Sequence, residues 1–403
     1  MKRTRIVNAV LCGAVGVLLT ICGILAFRLS EKQSEQNAAH AVYSTEAKLA
    51  EAVQVLRDFY VGELDEERLA DAAAAAMVDS LNDQWSYYLS AGDLQSYMDS
   101  QNNQYGGLGI VISSDESGAA VVQKVHPSSP AGEAGVPVGS HFLTAGGRDL
   151  RGMDMDSVTE WLRSLIAEGL VEMTLLTPEG TEFSCSLVPG EVMTDPVSYE
   201  KLDSGYGYIR IENFEARCAA MAIAAVEALM QEDVPGIVFD VREDPGGQLS
   251  ELLMLLDYLL PEGVLFRAVS ADGAEELYTS KSGWVSVPVA VLVNEDSYSA
   301  AEFFAAALMD YDRGIVVGSQ TTGKGAAQVT ILLEDHSAIH ISNIYYYTPS
   351  GRNLAETGLT PDITVDMDDE KRISLFYGLL DHAEDEQLQA AVEALQAEAA
   401  DFS

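Results

Sequence analysis

Val287-Pro288-Val289-Ala290-Val291-Leu292-Val293-Asn294-Glu295-Asp296-Ser297-Tyr298-Ser299-Ala300-Ala301-Glu302 is the stretch on which the fold turns. Its first seven residues are apolar and rich in valine, which predicts a strand. A polar turn over Asn294–Ser297 then opens an Ala-rich helix at Ala300–Met309. A second unit of the same kind lies upstream. There Gly236–Val241 leads through Pro245-Gly246-Gly247 into a helix at Leu249–Leu260. Strands at Gly207–Ile211, Gly314–Val317, Ala327–Leu332 and Ala338–Ser342 surround them, with helices near Ala219–Gln231 and over residues 383–399. Apolar strands alternating with helices indicate a layered α/β core, with functional sites where the strands end. No internal repeat is present.

Composition sets the outer bounds. The chain has 403 residues, with 63 Asp+Glu against 23 Lys+Arg and a net charge of −40, which opposes any nucleic-acid role. Its length suggests two or three domains, and a hydrophobic content of 48% is that of a globular protein. Residues 1–28 carry Lys2, Arg3, Arg5 and Arg28 but no acid, and between them Ile6–Phe27 is uncharged. That run makes roughly 33 Å of helix, enough to cross a bilayer. The basic flank places the N-terminus in the cytoplasm and everything beyond the anchor outside. A cleaved signal peptide is the alternative. Residues 29–45 read as a tether and 46–103 as a helical segment, in which Trp85-Ser86-Tyr87-Tyr88 is an aromatic turn. Residues 104–190 form a β-rich module, 191–368 the α/β core and 369–403 an acidic helical tail. Of the four cysteines, Cys12 and Cys22 fall in the apolar run. Cys185 and Cys218 read as buried free thiols.

Three motifs carry chemistry. Gly318-Ser319-Gln320-Thr321-Thr322-Gly323-Lys324-Gly325 approaches a phosphate loop, but Gly325 replaces the metal-binding Ser or Thr and a strand follows instead of a helix. Ser299, like Ser297, sits between a strand and a helix, where a serine is often only an N-cap. The same corner also exposes a hydroxyl beside backbone N–H groups able to hold an oxyanion. His336 and His340 read as solvated or core histidines, without chelate spacing. That leaves Lys324, set among Gly, Ala and Thr, as the best base, provided burial lowers its pKa. Asp240 to Gly247 ends in glycines that let the backbone approach a ligand closely.

Together these motifs resemble the carboxyl-terminal processing peptidases, the tail-specific serine proteases. Ser299 stands in S-x-S-A-x-E, Lys324 follows 25 residues later in T-x-G-K-G, and Gln328 lies four further on. The resemblance implies a crotonase/Clp-like α/β core in which Ser299 is the nucleophile, Lys324 the base and Gln328 the residue that orients it. Asp240–Gly247 is similar to D-L-R-x-N-P-G-G, which implies an oxyanion hole from Gly246 or Gly247 with Ala300. Tyr347–Arg352, Gly358–Asp362 and Leu81–Leu89 are similar to further family signatures. Gly106–Ile110 and Ser129–Gly135 resemble an inserted PDZ domain, whose Gly107, Leu108, Gly109 and Ile110 would take the peptide carboxylate. Tyr298, Asp244 and Ser140 depart from the family pattern, at positions where it has a small residue, Asn and Asp. The expectation is therefore an endopeptidase held in the membrane by residues 6–27, acting outside the cytoplasm on free C-termini of proteins or peptides. It would need no metal or cofactor and would bind no nucleic acid. A homo-oligomer is left open. The rivals are a non-catalytic PDZ adaptor and an NTPase.

Overall fold

Ile237, Phe239, Val289, Val291 and Val293 all have less than 3% of their surface exposed, and so do Val238, Ala290 and Leu292 between them. Strands this apolar on both sides must be covered on both faces. They lie in the middle of a six-stranded sheet ordered Val197–Lys201, Gly207–Ile211, Ile237–Asp240, Val289–Val293, Gly314–Gly318 and Ile363–Thr364. The first pair is antiparallel and all the others are parallel. One face packs against helices Cys218–Gln231, Leu249–Leu259 and Ala300–Asp310. The other packs against helix Glu386–Asp401 through Leu388, Ala391, Val392 and Leu395. The acidic tail thus supplies the third layer of the core. Each buried aliphatic side chain of this sheet is worth roughly 1.5–3 kcal/mol of burial.

This computed structural model describes residue 44 and residues 46–115, 117–281 and 283–401. The basic flank, the apolar run over residues 6–27 and most of the tether lie outside the described residues. Among the described residues, no helix is long and apolar enough to cross a membrane. An N-terminal unit ends at Ala76 and holds a helix over residues 46–59 and most of helix Glu66–Asp79. Within it Arg57 makes a two-pronged pair with Glu66 at 2.7 and 2.8 Å.

The second unit begins at Met77. Its helix Ala91–Gln101 is capped by Ser90, whose hydroxyl accepts the Asp93 N–H at 3.2 Å. The aromatic segment expected as a turn is instead partly a strand. Tyr87–Leu89 pairs antiparallel with Ala338–His340, the start of strand Ala338–Tyr347. A long-range edge converted a locally turn-like sequence into a strand. Strand Ala338–Tyr347 also runs five residues beyond the expected end at Ser342. Its outer half is held by Ala326–Leu332 and Val264–Ser270.

Residues 104–190 contain a β-rich body. Strands Ile110–Ser114, Ala120–Val125, His141–Ala145, Val171–Leu176 and Glu182–Leu187 form one sheet, with Arg148–Asp149 paired to the third. Helix Met155–Glu168 packs Val158, Leu162 and Leu165 into its core. A separate two-stranded ribbon, Gln104–Gly107 with Gly190–Met193, forms the entry and exit of this body.

Candidate active site

Strand Val289–Val293 delivers the chain to Ser299, the residue before helix Ala300–Asp310. Ser299 has φ 59° and ψ −121°, and its side chain makes no capping hydrogen bond. The N-cap reading therefore does not account for it. A non-glycine residue at these angles carries roughly 1–3 kcal/mol of strain, which the surrounding packing must hold. Ser297 is different. It is fully buried, donates to the Val241 carbonyl at 2.7 Å and accepts from the Asn294 N–H at 3.0 Å, so its hydroxyl is a structural strut.

Glu302 joins this corner to the lysine loop. It is fully buried one turn into the helix and accepts from Thr321 Oγ1 at 2.5 Å and from the Gly323 and Lys324 N–H groups at 2.9 Å. Burial raises its pKa, against the pull of those donors. Gly323 has φ +90°, and a Cβ there would lie 2.7 Å from the Gly358 nitrogen. A Cβ on Gly325 would lie 2.5 Å from the Ala355 Cβ. The glycines around Lys324 thus permit close packing on residues 353–358, and strand Ala326–Leu332 follows them. The helix that a phosphate loop requires is absent from that position, which removes the NTPase reading.

Lys324 Nζ lies 4.7 Å from the centroid of the Trp85 ring. Burial lowers its pKa to about 8, while the Asp83 and Glu302 carboxylates oppose the shift. Asp83 is itself held by the Trp85 N–H at 3.1 Å and the Ser86 hydroxyl at 2.5 Å. The Tyr346 hydroxyl donates to the Lys324 carbonyl and touches the Ser299 side chain. No hydrogen bond joins Ser299 Oγ to Lys324 Nζ among the described residues. The two are gathered into one site with the lysine resting on tryptophan.

The Pro245-Gly246-Gly247 turn closes the site. A Cβ on Gly246 would stand 2.7 Å from the Ala300 nitrogen and 2.8 Å from the Ser299 Cβ, so only glycine fits. The Gly246 N–H donates to Asp244 Oδ1 at 2.7 Å, which removes it as a free oxyanion donor. Gly247 pairs with Phe214 as an isolated parallel bridge, in which Phe214 bonds the Gly246 carbonyl and the Gln248 N–H. The Gly247 N–H is directed away from Phe214 by that pattern. The N–H of Ala300, first in its helix, has no intrahelical acceptor.

The profile of Peptidase family S41 matches residues 205–365, and that of the Activating protease CtpB N-terminal domain matches residues 24–92. A carboxy-terminal-processing protease of Bartonella bacilliformis is 28% identical over 371 residues, 89% of this chain and 83% of its own length. A Staphylococcus aureus (strain COL) protein described as a CtpA-like serine protease is 26% identical, over 91% of this chain and 73% of its own. Residues 205–365 of this chain carry the core of peptidase family S41. The chain is a serine-type peptidase of the C-terminal processing group. The crystal structure of a Bacteroides fragilis NCTC 9343 protein described as an S41 protease superposes with a TM-score of 0.55 and 17% identity. That match covers 85% of this chain and 94% of the other, and it supports the fold.

Other expected site residues of this S41 peptidase fall as follows. Gln328 Nε2 donates to the Ala326 carbonyl and to Ser342 Oγ, both at 3.0 Å, and so does not hold Lys324 in this arrangement. A bulge between Ala327 and Gln328 sets its direction. Gly107, Leu108, Gly109 and Ile110 line a cavity of about 400 Å³ with Phe142 and Leu162. Strand Ile110–Ser114 leaves one edge of its sheet unpaired there. His340 stacks on Tyr87 at 4.7 Å and bonds Thr330 Oγ1 at 2.9 Å, and burial lowers its pKa to about 4. It is a neutral, half-buried residue. Cys185 and Cys218 are free thiols. Among the described residues, no group of three or more His, Cys, Asp or Glu could hold a metal ion.

Asp83, Trp85, Glu302 and Tyr346 were not read as site residues from sequence. Glu302 carried a signal, since a carboxylate in an otherwise apolar first turn must find buried donors. The others come from the helical segment and the long hairpin, far from the two strand–turn–helix units.

Proposed function

We propose that this peptidase cuts proteins outside the cytoplasm near their free C-termini, with Ser299 as nucleophile and Lys324 as base. The observation that carries this reading is the pairing of an uncapped, strained Ser299 with a lysine desolvated to about 8, both tied to Glu302 or its helix. Lys324 leaves the Trp85 face when neutral, takes the Ser299 proton as Oγ attacks the scissile carbonyl, and returns it to the departing amine. The Gly247 and Ala300 N–H groups receive the oxyanion. Water then cleaves the acyl-enzyme by the same route. In this reading Gln328, anchored through Nε2, offers its Oε1 to the displaced ammonium.

Residues 104–190 act as a PDZ domain in this reading. The cavity beside Gly107–Ile110, the open edge of Ile110–Ser114 and the helix Met155–Glu168 support it, because a peptide can add to that edge with its carboxylate on the loop N–H groups. Residues 6–27 anchor the chain, which puts the site outside the cytoplasm.

The test uses full-length protein in detergent and a peptide with a free C-terminus. Ser299→Ala and Lys324→Ala should each abolish cleavage, and the double variant should be barely worse than either single one. Amidating the peptide should lower kcat/KM severalfold. Full turnover by Ser299→Ala would overturn the dyad, and equal rates for acid and amide would overturn tail recognition alone.

A further inference from the structure

Asp244 lies two residues before Gly246, fully buried, and its carboxyl group meets one donor only. Oδ1 accepts the Gly246 N–H at 2.7 Å, and Oδ2 is buried with no hydrogen-bond partner. Its main chain is fixed as well, since the Asp244 carbonyl accepts the Tyr298 N–H at 3.2 Å. The acid is therefore clasped between the glycine turn and the residue preceding Ser299. An ionised carboxylate normally gathers two or three donors when it is removed from water. Here it would have one, with a bare oxygen in the interior.

The charges facing it do not compensate. Glu212 and Glu215 disfavour a further negative charge, and Arg210 favours one. Arg210 is already engaged, with Asp240 at 3.2 Å and Glu212 at 3.3 Å. Cys218 and Tyr298, which also feel Asp244, are held neutral by burial. Glu215, beside it, is itself pushed up to about 7, chiefly by burial. Burial likewise holds the Asp244 acid far above its ordinary range, against the Gly246 N–H.

We propose that Asp244 is a positioning residue that works as an uncharged carboxylic acid, holding the Pro245-Gly246-Gly247 turn against Ser299 while keeping negative charge away from the forming oxyanion. The inference rests on the reading of Ser299 as the nucleophile. A neutral acid keeps a carbonyl oxygen for the Gly246 N–H, as the amide of asparagine does in the same shape. An anion in that place would repel the tetrahedral oxyanion that Gly247 and Ala300 receive.

The consequence for stability has a definite sign. A carboxyl whose folded pKa is raised contributes fully below its unfolded value of roughly 3.9, and that contribution is lost as pH rises through the folded value. Asn cannot ionise and suffers no such loss. Thermal and urea unfolding of full-length Ser299→Ala should therefore be compared with Ser299→Ala/Asp244→Asn from pH 4 to 9. In this background activity plays no part. The double variant should gain in relative folding equilibrium by up to about tenfold per pH unit above pH 4. In the active enzyme, Asp244→Ala should lower kcat by at least about tenfold, with KM little changed, by releasing the turn. Asp244→Asn should restore most of that loss. A stability gap that does not change with pH, or a folded Asp244→Asn as inactive as Asp244→Ala, would overturn the proposal. Failure of the dyad itself would show separately, as turnover surviving in Ser299→Ala.

Discussion

Lys324 Nζ sits over the face of Trp85 at 4.7 Å, and Trp85 in turn packs on Tyr298, ring centroids 5.4 Å apart, next to Ser299. The tryptophan face is electron-rich, so it holds the ammonium form of the lysine better than the amine. In the proposed mechanism Lys324 is thus parked while protonated and freed on losing its proton. Tyr298, a departure from the family pattern, forms the other side of this stack.

The first expectation concerns pH. Because only neutral Lys324 can accept a proton, kcat/KM should rise with pH and level off through an apparent pKa of about 8. Trp85→Leu keeps an apolar neighbour but removes the ring that favours the ammonium. The rising limb should then move about 0.5–1 unit to lower pH, the equivalent of a partly desolvated cation–π contact. A limb unmoved in Trp85→Leu would show that the ring has no hold on the proton.

Lys324 should also be costly to stability. Its folded pKa lies below the unfolded value, so the stability linked to it is present above roughly 10.4 and lost as pH falls through about 8. At pH 7 Lys324→Met should therefore be the more stable protein, by up to the order of 3 kcal/mol, less the lost ring contact. The advantage should shrink toward pH 10. Urea unfolding at pH 7 and pH 10 reads both values.

Glu302 is the next target. Glu302→Ala leaves Thr321 Oγ1 and the Gly323 and Lys324 N–H groups without their acceptor in a buried place. Each orphaned donor costs about 1–3 kcal/mol, so a loss of several kcal/mol is expected by denaturation. In whatever folds, kcat should fall more than tenfold, because the lysine loop loses its tie to the serine helix. Glu302→Gln keeps an acceptor and should be milder on both counts.

The last expectation lies behind the Pro245-Gly246-Gly247 turn. Arg242 is fully buried and bonds Asp240 at 2.9 and 2.6 Å, Asp385 at 3.1 and 2.7 Å and Gln387 Oε1 at 3.0 Å. Asp385→Ala strips one carboxylate from a fully buried cation. The expected cost is about 3–5 kcal/mol, measured by urea unfolding. Paired replacement of Arg242 and Asp385 by apolar residues should cost less than the sum of the singles.

Much of this architecture was legible in the chain itself. Val287–Val293 and Gly236–Val241 read as strands because runs of valine, isoleucine and leucine have few other soluble uses. The helices after them followed from alanine and leucine content. The corner at Ser299 and the Gly246-Gly247 turn were legible as junctions between strand and helix, because sharp corners restrict residue type. The β-rich module over residues 104–190 was legible as a segment of its own.

What tertiary structure alone decided is which groups share a buried space. Local sequence cannot say that Trp85 covers Lys324, that Tyr346 reaches both Ser299 and the Lys324 carbonyl, or that Asp385 completes Arg242. It also could not make Tyr87–Leu89 a strand, since that edge exists only once Ala338–Tyr347 lies alongside. Protonation belongs to this second class. A lysine and an aspartate have fixed ordinary pKa values as residues, and only removal from water among particular neighbours moves Lys324 down and Asp244 up.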